Sequence, residues 1–293
     1  MNGIILIDKE KEYTSHDVVA IVKKITKSKV GHTGTLDPNA TGVLPLLVGS
    51  ATKVSKYLIN HDKEYEVELE LGKKTTTADI EGEIVEEKDV PSWIFDEKGK
   101  LENVLKSFAK KQKQVPPIYS AIKVNGKKLY DYARAGKEVK IEPRDIEIYK
   151  MELLNTDKEK KTISFKVACS KGTYIRSLCE DVSAKLGTVG FMKNLRRTIV
   201  GEFKIEDAFK INEIKEKTEN NDYSYIIPVE KIFENKPKIE LSNKELQRFL
   251  NGVKILAKDY KNAEIVSVYV NKKFIGTGII KENTLKRDIV LDN

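Results

Sequence analysis

The sequence predicts an α+β protein in two parts, a larger one over residues 1–235 and a small β-rich one over 236–293. Three observations lead there. Stretches with helical apolar spacing and stretches of strict alternation interleave through the first part, so helices and strands mix. From Lys236 the texture changes to short strands of period two with turn residues between them. At 293 residues the chain has the length for one large domain and a small companion, and it buries a substantial core without staples.

The elements follow in order. MNGIILIDKE opens with an apolar run, Gly3 to Ile7, that reads as a buried first strand. Asp8 interrupts it and no basic segment precedes it, which sets it apart from a signal peptide. Thr14 and Asp17 form a capping-box pattern, and Val18, Val22 and Ile25 continue at helical spacing to about Lys27. The glycines, threonines and prolines of Val30 to Lys53 forbid one long element; they predict a loop, a short turn of helix, an apolar strand and a loop. Tyr65, Val67, Leu69 and Leu71 alternate with Glu66, Glu68 and Glu70, a half-buried strand with Tyr65 on its apolar face. Thr75 to Gly82 reads as a polar loop and Leu101 to Lys110 as a helix. Gln114 to Arg144 mixes prolines, glycines, tyrosines and lysines and reads as an extended, partly mobile excursion. Ile163, Phe165 and Val167 mark a strand; Ile175, Leu178, Cys179, Val182 and Leu186 mark a helix that Gly187 stops. In the second part a helix around Asn243 to Leu250 precedes strands near Val266, Val268 and Val270 and a turn at Asn271 to Lys273.

Composition narrows the function. No run of about 18 apolar residues offers a membrane-spanning helix. Cys169 and Cys179 form no C-x-x-C pair, as in a reduced intracellular protein, and His16, His32 and His61 are too scattered for a zinc motif. GVLPLLVGSATK lacks the phosphate-loop pattern of an NTPase. The net charge is +8 with a pI of about 9.1, and it is concentrated: between Lys110 and Arg144 ten Lys/Arg stand against three Asp/Glu. A solvated lysine-rich face accounts for charge alone. Tyr119, Tyr130 and Tyr132 among those lysines also fit phosphate contact combined with base stacking.

Chemistry has few places to sit. Asp37 before Pro38 fits a helix N-cap. Set among Thr33, Gly34 and Thr35, it also fits a carboxylate nucleophile in a loop that a ligand can approach closely. Arg176 lies in the first turn of its helix, against the positive end of the dipole, so solvent or a carboxylate must compensate it; Asp37 is a candidate. Tyr65 is either core or a stacking platform for a base, and His32 either a turn residue or a wedge against nucleic acid. The residues alone reach a basic, metal-free, RNA-binding protein with a carboxylate in a loop.

Three blocks go further. GHTGTLDPNATGVL (Gly31 to Leu44) resembles the catalytic-aspartate signature of the TruB-type pseudouridine synthases. QVPPIYSAIKVNGKKLYDYARAG (Gln114 to Gly136) and CSKGTYIRSLCEDV (Cys169 to Val182) resemble two further blocks of that family, in the same order. The match runs from Gly3 to about Phe203 and resumes weakly beyond. One departure is Asp8-Lys9-Glu10 where the family usually has Asp-Lys-Pro.

The resemblance implies a mixed-sheet catalytic domain with flanking helices, an RNA-gripping insertion at about 110–144, and a PUA-like RNA-binding domain over 236–293. It implies Asp37 as the essential carboxylate, Arg176 as its partner and Tyr65 as the residue stacking on the target base. His32, Lys9, Asp79, Tyr174 and Leu195 are implied around the substrate, with Lys123, Lys127, Lys128 and Arg134 on RNA. The implied reaction isomerises a uridine at position 55 in the T-arm loop of transfer RNA. It gains and loses no atoms, so it calls for no cofactor. The implied protein is a cytoplasmic monomer that needs no protein partner. Two other readings share the scaffold: a guide-RNA-dependent relative, and a non-catalytic RNA-binding protein or transfer-RNA folding chaperone.

Overall fold

A computed structural model describes residues 1–291 except 60, 121, 138, 258, 259, 261 and 262. The chain begins with β1 (Gly3–Lys9), α1 (Ser15–Thr26), β2 (Val30–His32) and β3 (Thr41–Val48), then α2 (Ser55–Leu58) and β4 (Lys63–Leu71). A hairpin of β5 (Lys73–Thr75) and β6 (Ile84–Glu87) leads to α3 (Trp93–Asp96), α4 (Lys98–Lys106) and β7 (Lys111–Gln114). The basic excursion holds a small hairpin, β8 (Lys123–Val124) and β9 (Lys127–Lys128), and α5 (Leu129–Arg134). Next come β10 (Arg144–Asp157), β11 (Thr162–Cys169), α6 (Ile175–Lys185), β12 (Gly190–Val200), β13 (Phe203–Lys204) and α7 (Ile211–Glu219). The last part is β14 (Lys238–Glu240), α8 (Asn243–Leu250), β15 (Ile255–Leu256), β16 (Ala263–Val270), β17 (Lys273–Lys281) and β18 (Thr284–Val290).

The large sheet is mixed, as the resemblance implies. Its order is β1-β3-β12-β4-β11-β10-β7, with β2 on β3 and β13 on β12. β12 runs parallel to β3 and antiparallel to β4. A second sheet, β14-β16-β17-β18-β15, forms the β-rich C-terminal part.

Patterning explains the layers. β1 and β3 carry apolar runs, Ile4 to Ile7 and Val43 to Val48, because both their faces are covered there. Ile5, Ile7, Leu44, Leu46 and Val48 face the main core with α1 and α6, while Ile4, Leu6, Val43 and Leu47 share a second core with Tyr269, Phe274 and Ile289 of the C-terminal sheet. β4 has one covered face. Tyr65, Val67, Leu69 and Leu71 are buried. The glutamates between them point the other way and are paired, Glu66 with Lys166 at 3.7 Å, Glu68 with the Asn194 amide and Glu70 with Lys193 at 2.9 Å.

Two local expectations change between Val30 and Ala40. Val30–His32 is a strand rather than loop, because β3 offers it an edge. Asp37 caps no helix; it opens a turn in which the Ala40 amide donates to the Asp37 carbonyl at 3.0 Å. The helix expected over Leu101 to Lys110 ends at Lys106, since Lys111–Gln114 is drawn into β7 against β10. α1 bears its predicted capping box, with the Asp17 amide donating to the Thr14 hydroxyl at 3.1 Å and the Thr14 amide to the Asp17 carboxylate at 2.8 Å. Among the described residues no helix is long and apolar enough to cross a membrane.

Candidate active site

The loop 33–40 leaves β2 and enters β3 at a gap in the sheet. β2 pairs with Leu46 to Val48 of β3, and β12 pairs with Thr41 and Gly42, so the β3 edge between them is open. Three side chains hold the loop there. The Leu36 amide donates to the Ser15 hydroxyl at 2.9 Å, tying the loop to the start of α1. Arg197 donates to the carbonyls of Val43 (2.9 Å) and Gly34 (3.1 Å). Lys9 donates its ammonium protons to the carbonyls of Glu10 (3.0 Å), Pro38 (3.0 Å) and Ala40 (2.6 Å).

Asp37 thus stands at a fixed place, half out of the surface, and its carboxylate meets the Arg176 Nε at 3.4 Å. Arg176 is the second residue of α6, and the charge conflict with the helix dipole is met by two carboxylates. Its Nη1 lies 3.3 Å from Asp79, and its Nη2 donates to the Tyr119 carbonyl at 2.9 Å. Asp79 is held in turn by the turn between β5 and β6: its other oxygen accepts from the Glu81 amide at 3.1 Å and from the Thr77 hydroxyl. The guanidinium is therefore aimed by two acceptors, Asp79 and the Tyr119 carbonyl, and its Nε edge is left to Asp37.

Above this pair lies a cavity of about 470 Å³ that gathers Asp37, Tyr65, Tyr174, Arg176 and Leu195 from four separate stretches of chain. Tyr65 comes from β4 and is 8% exposed. Burial pushes its phenol above the usual range, so the ring is neutral at physiological pH. Tyr174 precedes α6, and Gln114 grips its main chain on both sides, accepting from the amide at 2.8 Å and donating to the carbonyl at 3.0 Å. Leu195 forms the apolar wall. A planar polar ring fits such a space: an aromatic face, an apolar wall, and a carboxylate oriented by an arginine.

The remaining expected residues fall elsewhere. Lys9 is fully buried with its protons on three carbonyls, so it presents nothing to a substrate; the expectation that it binds one is corrected to holding the turn after Asp37. His32 lies outside the cavity lining, edge-on to His16 with ring centroids 5.6 Å apart. Burial, then His16 and Arg197, hold its imidazole below the usual range. Lys123 and Lys127 are exposed on the small hairpin. Lys128 donates to the Tyr130 hydroxyl at 2.8 Å, and Arg134 lies 5.4 Å from the centre of the same ring. Because Tyr130 lines the cavity, these cations stand at its mouth.

Sequence reasoning missed Arg197 and Ser120. Arg197 is 1% exposed. Within LRRT it shares the face of Leu195, but register shifts on either side keep the strand from showing as a period. Ser120 lines the cavity with a buried hydroxyl beside that of Tyr174, and nothing in its surroundings in sequence marks it.

Comparison with known proteins points the same way. Residues 22–175 match the model of the TruB family pseudouridylate synthase N-terminal domain. Residues 176–234 match a tRNA pseudouridylate synthase B C-terminal domain, and 237–287 match the C-terminal model of pseudouridine synthase II TruB. A tRNA pseudouridine synthase B of Clostridium tetani is 44% identical over 283 residues, covering 95% of each chain. One from Alkaliphilus oremlandii is 42% identical, covering 96% of this chain and 94% of its own. Among solved structures, an H/ACA ribonucleoprotein bound to a substrate RNA containing 2′-deoxyuridine superposes with a TM-score of 0.71 at 25% identity, covering 99% of this chain and 85% of that one. A Cbf5–Nop10–Gar1 complex gives a TM-score of 0.68 at 28% identity, with 99% and 83% covered.

Proposed function

The chain belongs to the TruB family of pseudouridylate synthases, and from that premise we propose that it isomerises the uridine at position 55, in the T-arm loop of transfer RNA, to pseudouridine. The observation that carries the reading is the Asp37–Arg176 ion pair, 3.4 Å long, at the floor of a cavity walled by Tyr65, Tyr174 and Leu195. The reaction breaks the N-glycosidic bond of uridine and joins the same ribose carbon to C5 of the same uracil. The freed base must turn without escaping. A flat, walled cavity suits that need, and a carboxylate within it can act on sugar or base.

In this reading the target nucleotide leaves its loop, which costs a few kcal/mol. Stacking on Tyr65 returns roughly 1–3 kcal/mol. Arg176 holds Asp37 toward the ribose, and Asp79 holds Arg176. Leu195 and Tyr174 confine the base, and His32 helps displace neighbouring nucleotides at the rim. Lys123, Lys127, Lys128 and Arg134 take phosphates of the RNA, and residues 236–293 serve as a PUA-like accessory. The protein works as a single chain in the cytoplasm. Relatives at 42–44% identity over nearly their whole length are named for transfer RNA, whereas the ribonucleoprotein structures stand at 25–28%. That contrast favours free transfer RNA over a guided substrate.

The test is incubation of the purified protein with unmodified transfer RNA, followed by site-resolved mapping of pseudouridine. Conversion at one T-loop position is expected, together with its loss in Asp37→Asn while RNA binding persists. No conversion without a guide RNA, or full turnover by the Asn variant, overturns the reading.

A further inference from the structure

We propose that Arg197 is a positioning residue for this reaction: it sets Asp37 and Tyr65 relative to each other through one buried side chain. The inference rests on the reading of the cavity as a uridine isomerisation site. Arg197 lies on β12 where that strand has a neighbour on each side, Gly42 of β3 and Tyr65 of β4. It is 1% exposed and does not line the cavity. Its guanidinium reaches past Gly42 toward the aspartate loop. Nε donates to the Val43 carbonyl at 2.9 Å, Nη2 to Gly34 at 3.1 Å and Nη1 to Thr35 at 3.5 Å. Two of those acceptors lie within three residues of Asp37. On its other side Tyr65 is the cross-strand partner of Arg197 on β4, and the guanidinium interacts with the Tyr65 phenol.

Two features set this arginine apart from an ordinary structural one. Among the described residues no carboxylate lies within ion-pair distance of it, although a buried charge without an opposite charge is costly. An apolar side chain would fill that space without the cost, so the position needs the donors themselves. A guanidinium is planar and carries five N–H groups, which lets one group bridge a strand, a loop and a phenol; an ammonium cannot keep that geometry. Gly42 has φ +107°, and a Cβ there would stand 2.1 Å from the Arg197 carbonyl oxygen, so only glycine lets β3 come this close to the β12 backbone and brings the aspartate loop within reach of the guanidinium.

Arg197→Lys and Arg197→Gln test this. Single-turnover conversion of unmodified transfer RNA is measured at saturating enzyme, with the competent fraction taken from binding stoichiometry and the melting temperature recorded alongside. The expected result is a rate constant lowered about 100-fold in the competent fraction, with RNA affinity within about threefold, because misplacement of reacting groups by about 1 Å costs that much. A cycle with Tyr65→Phe should give effects that fail to multiply, since both changes break one contact. If every loss appears as a lower melting temperature or a smaller competent fraction, up to complete failure to fold, while competent protein keeps the wild-type rate constant, Arg197 is a structural residue and the proposal is overturned. Wild-type protein that converts no uridine at all would instead overturn the assigned reaction.

Discussion

A cation one turn into a helix faces the positive end of the dipole, and Arg176 is stable there because Asp37 and Asp79 both stand against it. The sequence shows the conflict and names Asp37 as one answer. It does not show Asp79, 97 residues away in chain, because only the fold brings the turn after β5 beside α6. Lys9 shows the opposite failure. A lysine beside a signature loop suggests a hand for substrate, yet its ammonium is spent on Glu10, Pro38 and Ala40. Burial pulls it down to about 8. An unfolded lysine keeps its proton to about 10.4, so between those values the unfolded state binds more protons and stability rises with pH; below pH 8 the cost of the buried charge is fully present. Lys9→Met should therefore lose about 2 kcal/mol at pH 7 through unsatisfied carbonyls, and the deficit should widen toward pH 10. Denaturant melts across that range check it. A variant with unchanged stability but weakened RNA binding would return Lys9 to the substrate surface.

At the scale of elements, legibility followed periodicity. β4 was readable because its glutamates and apolar residues alternate, and α1 because its capping box and Val18–Val22 spacing agree. β12 was not, because register shifts between Met192 and Asn194 and between Arg197 and Ile199 break its alternation. With β12 unseen, Arg197 was unseen too. The excursion between β7 and β10 has no period at all, and its reading rested on charge. The structure gives that charge an address: Lys128 and Arg134 lie over Tyr130, which lines the cavity. Neutralising Lys123, Lys127, Lys128 and Arg134 together should weaken transfer RNA binding and flatten its salt dependence, by a little under one unit of log–log slope for each phosphate no longer neutralised. The rate at saturating RNA should fall as well, because two of the four support a wall of the site. Titrations at several salt concentrations decide it, and an unchanged slope would reduce these residues to solubilising charge.

Across the whole molecule, the change of texture at Lys236 correctly announces a β-rich part, but composition says nothing about what that part covers. The second core answers. Ile4, Leu6, Val43 and Leu47 from β1 and β3 belong to one apolar cluster with Phe233, Tyr269, Phe274, Ile289 and Leu291. Phe233 and Phe274 stack with ring centroids 6.0 Å apart. Polar contacts reinforce the junction: Asp288 of β18 accepts from Lys56, from the Tyr57 hydroxyl and, at 2.9 Å, from Thr277. Burial alone would push the Asp288 carboxyl up, but these donors outweigh it and hold it below its usual range. The aspartate loop runs into β3, and Lys9 of β1 holds it, so the C-terminal sheet, packed on both strands, supports the frame of the site. An accessory that only added affinity could be removed with the rate at saturating RNA intact. Here truncation after Asn235 strips one face of β1 and β3 and leaves a contiguous apolar patch in water. The truncated chain should melt at least 10 °C lower, roughly the effect of several kcal/mol in a chain of this size, and should aggregate on heating. Asp288→Asn in the full chain should lie between, with a drop of a few degrees. Thermal melts of the three proteins, paired with single-turnover rates, separate the roles. A truncation that melts with the intact protein and loses only RNA affinity would show that the second core is dispensable to the frame.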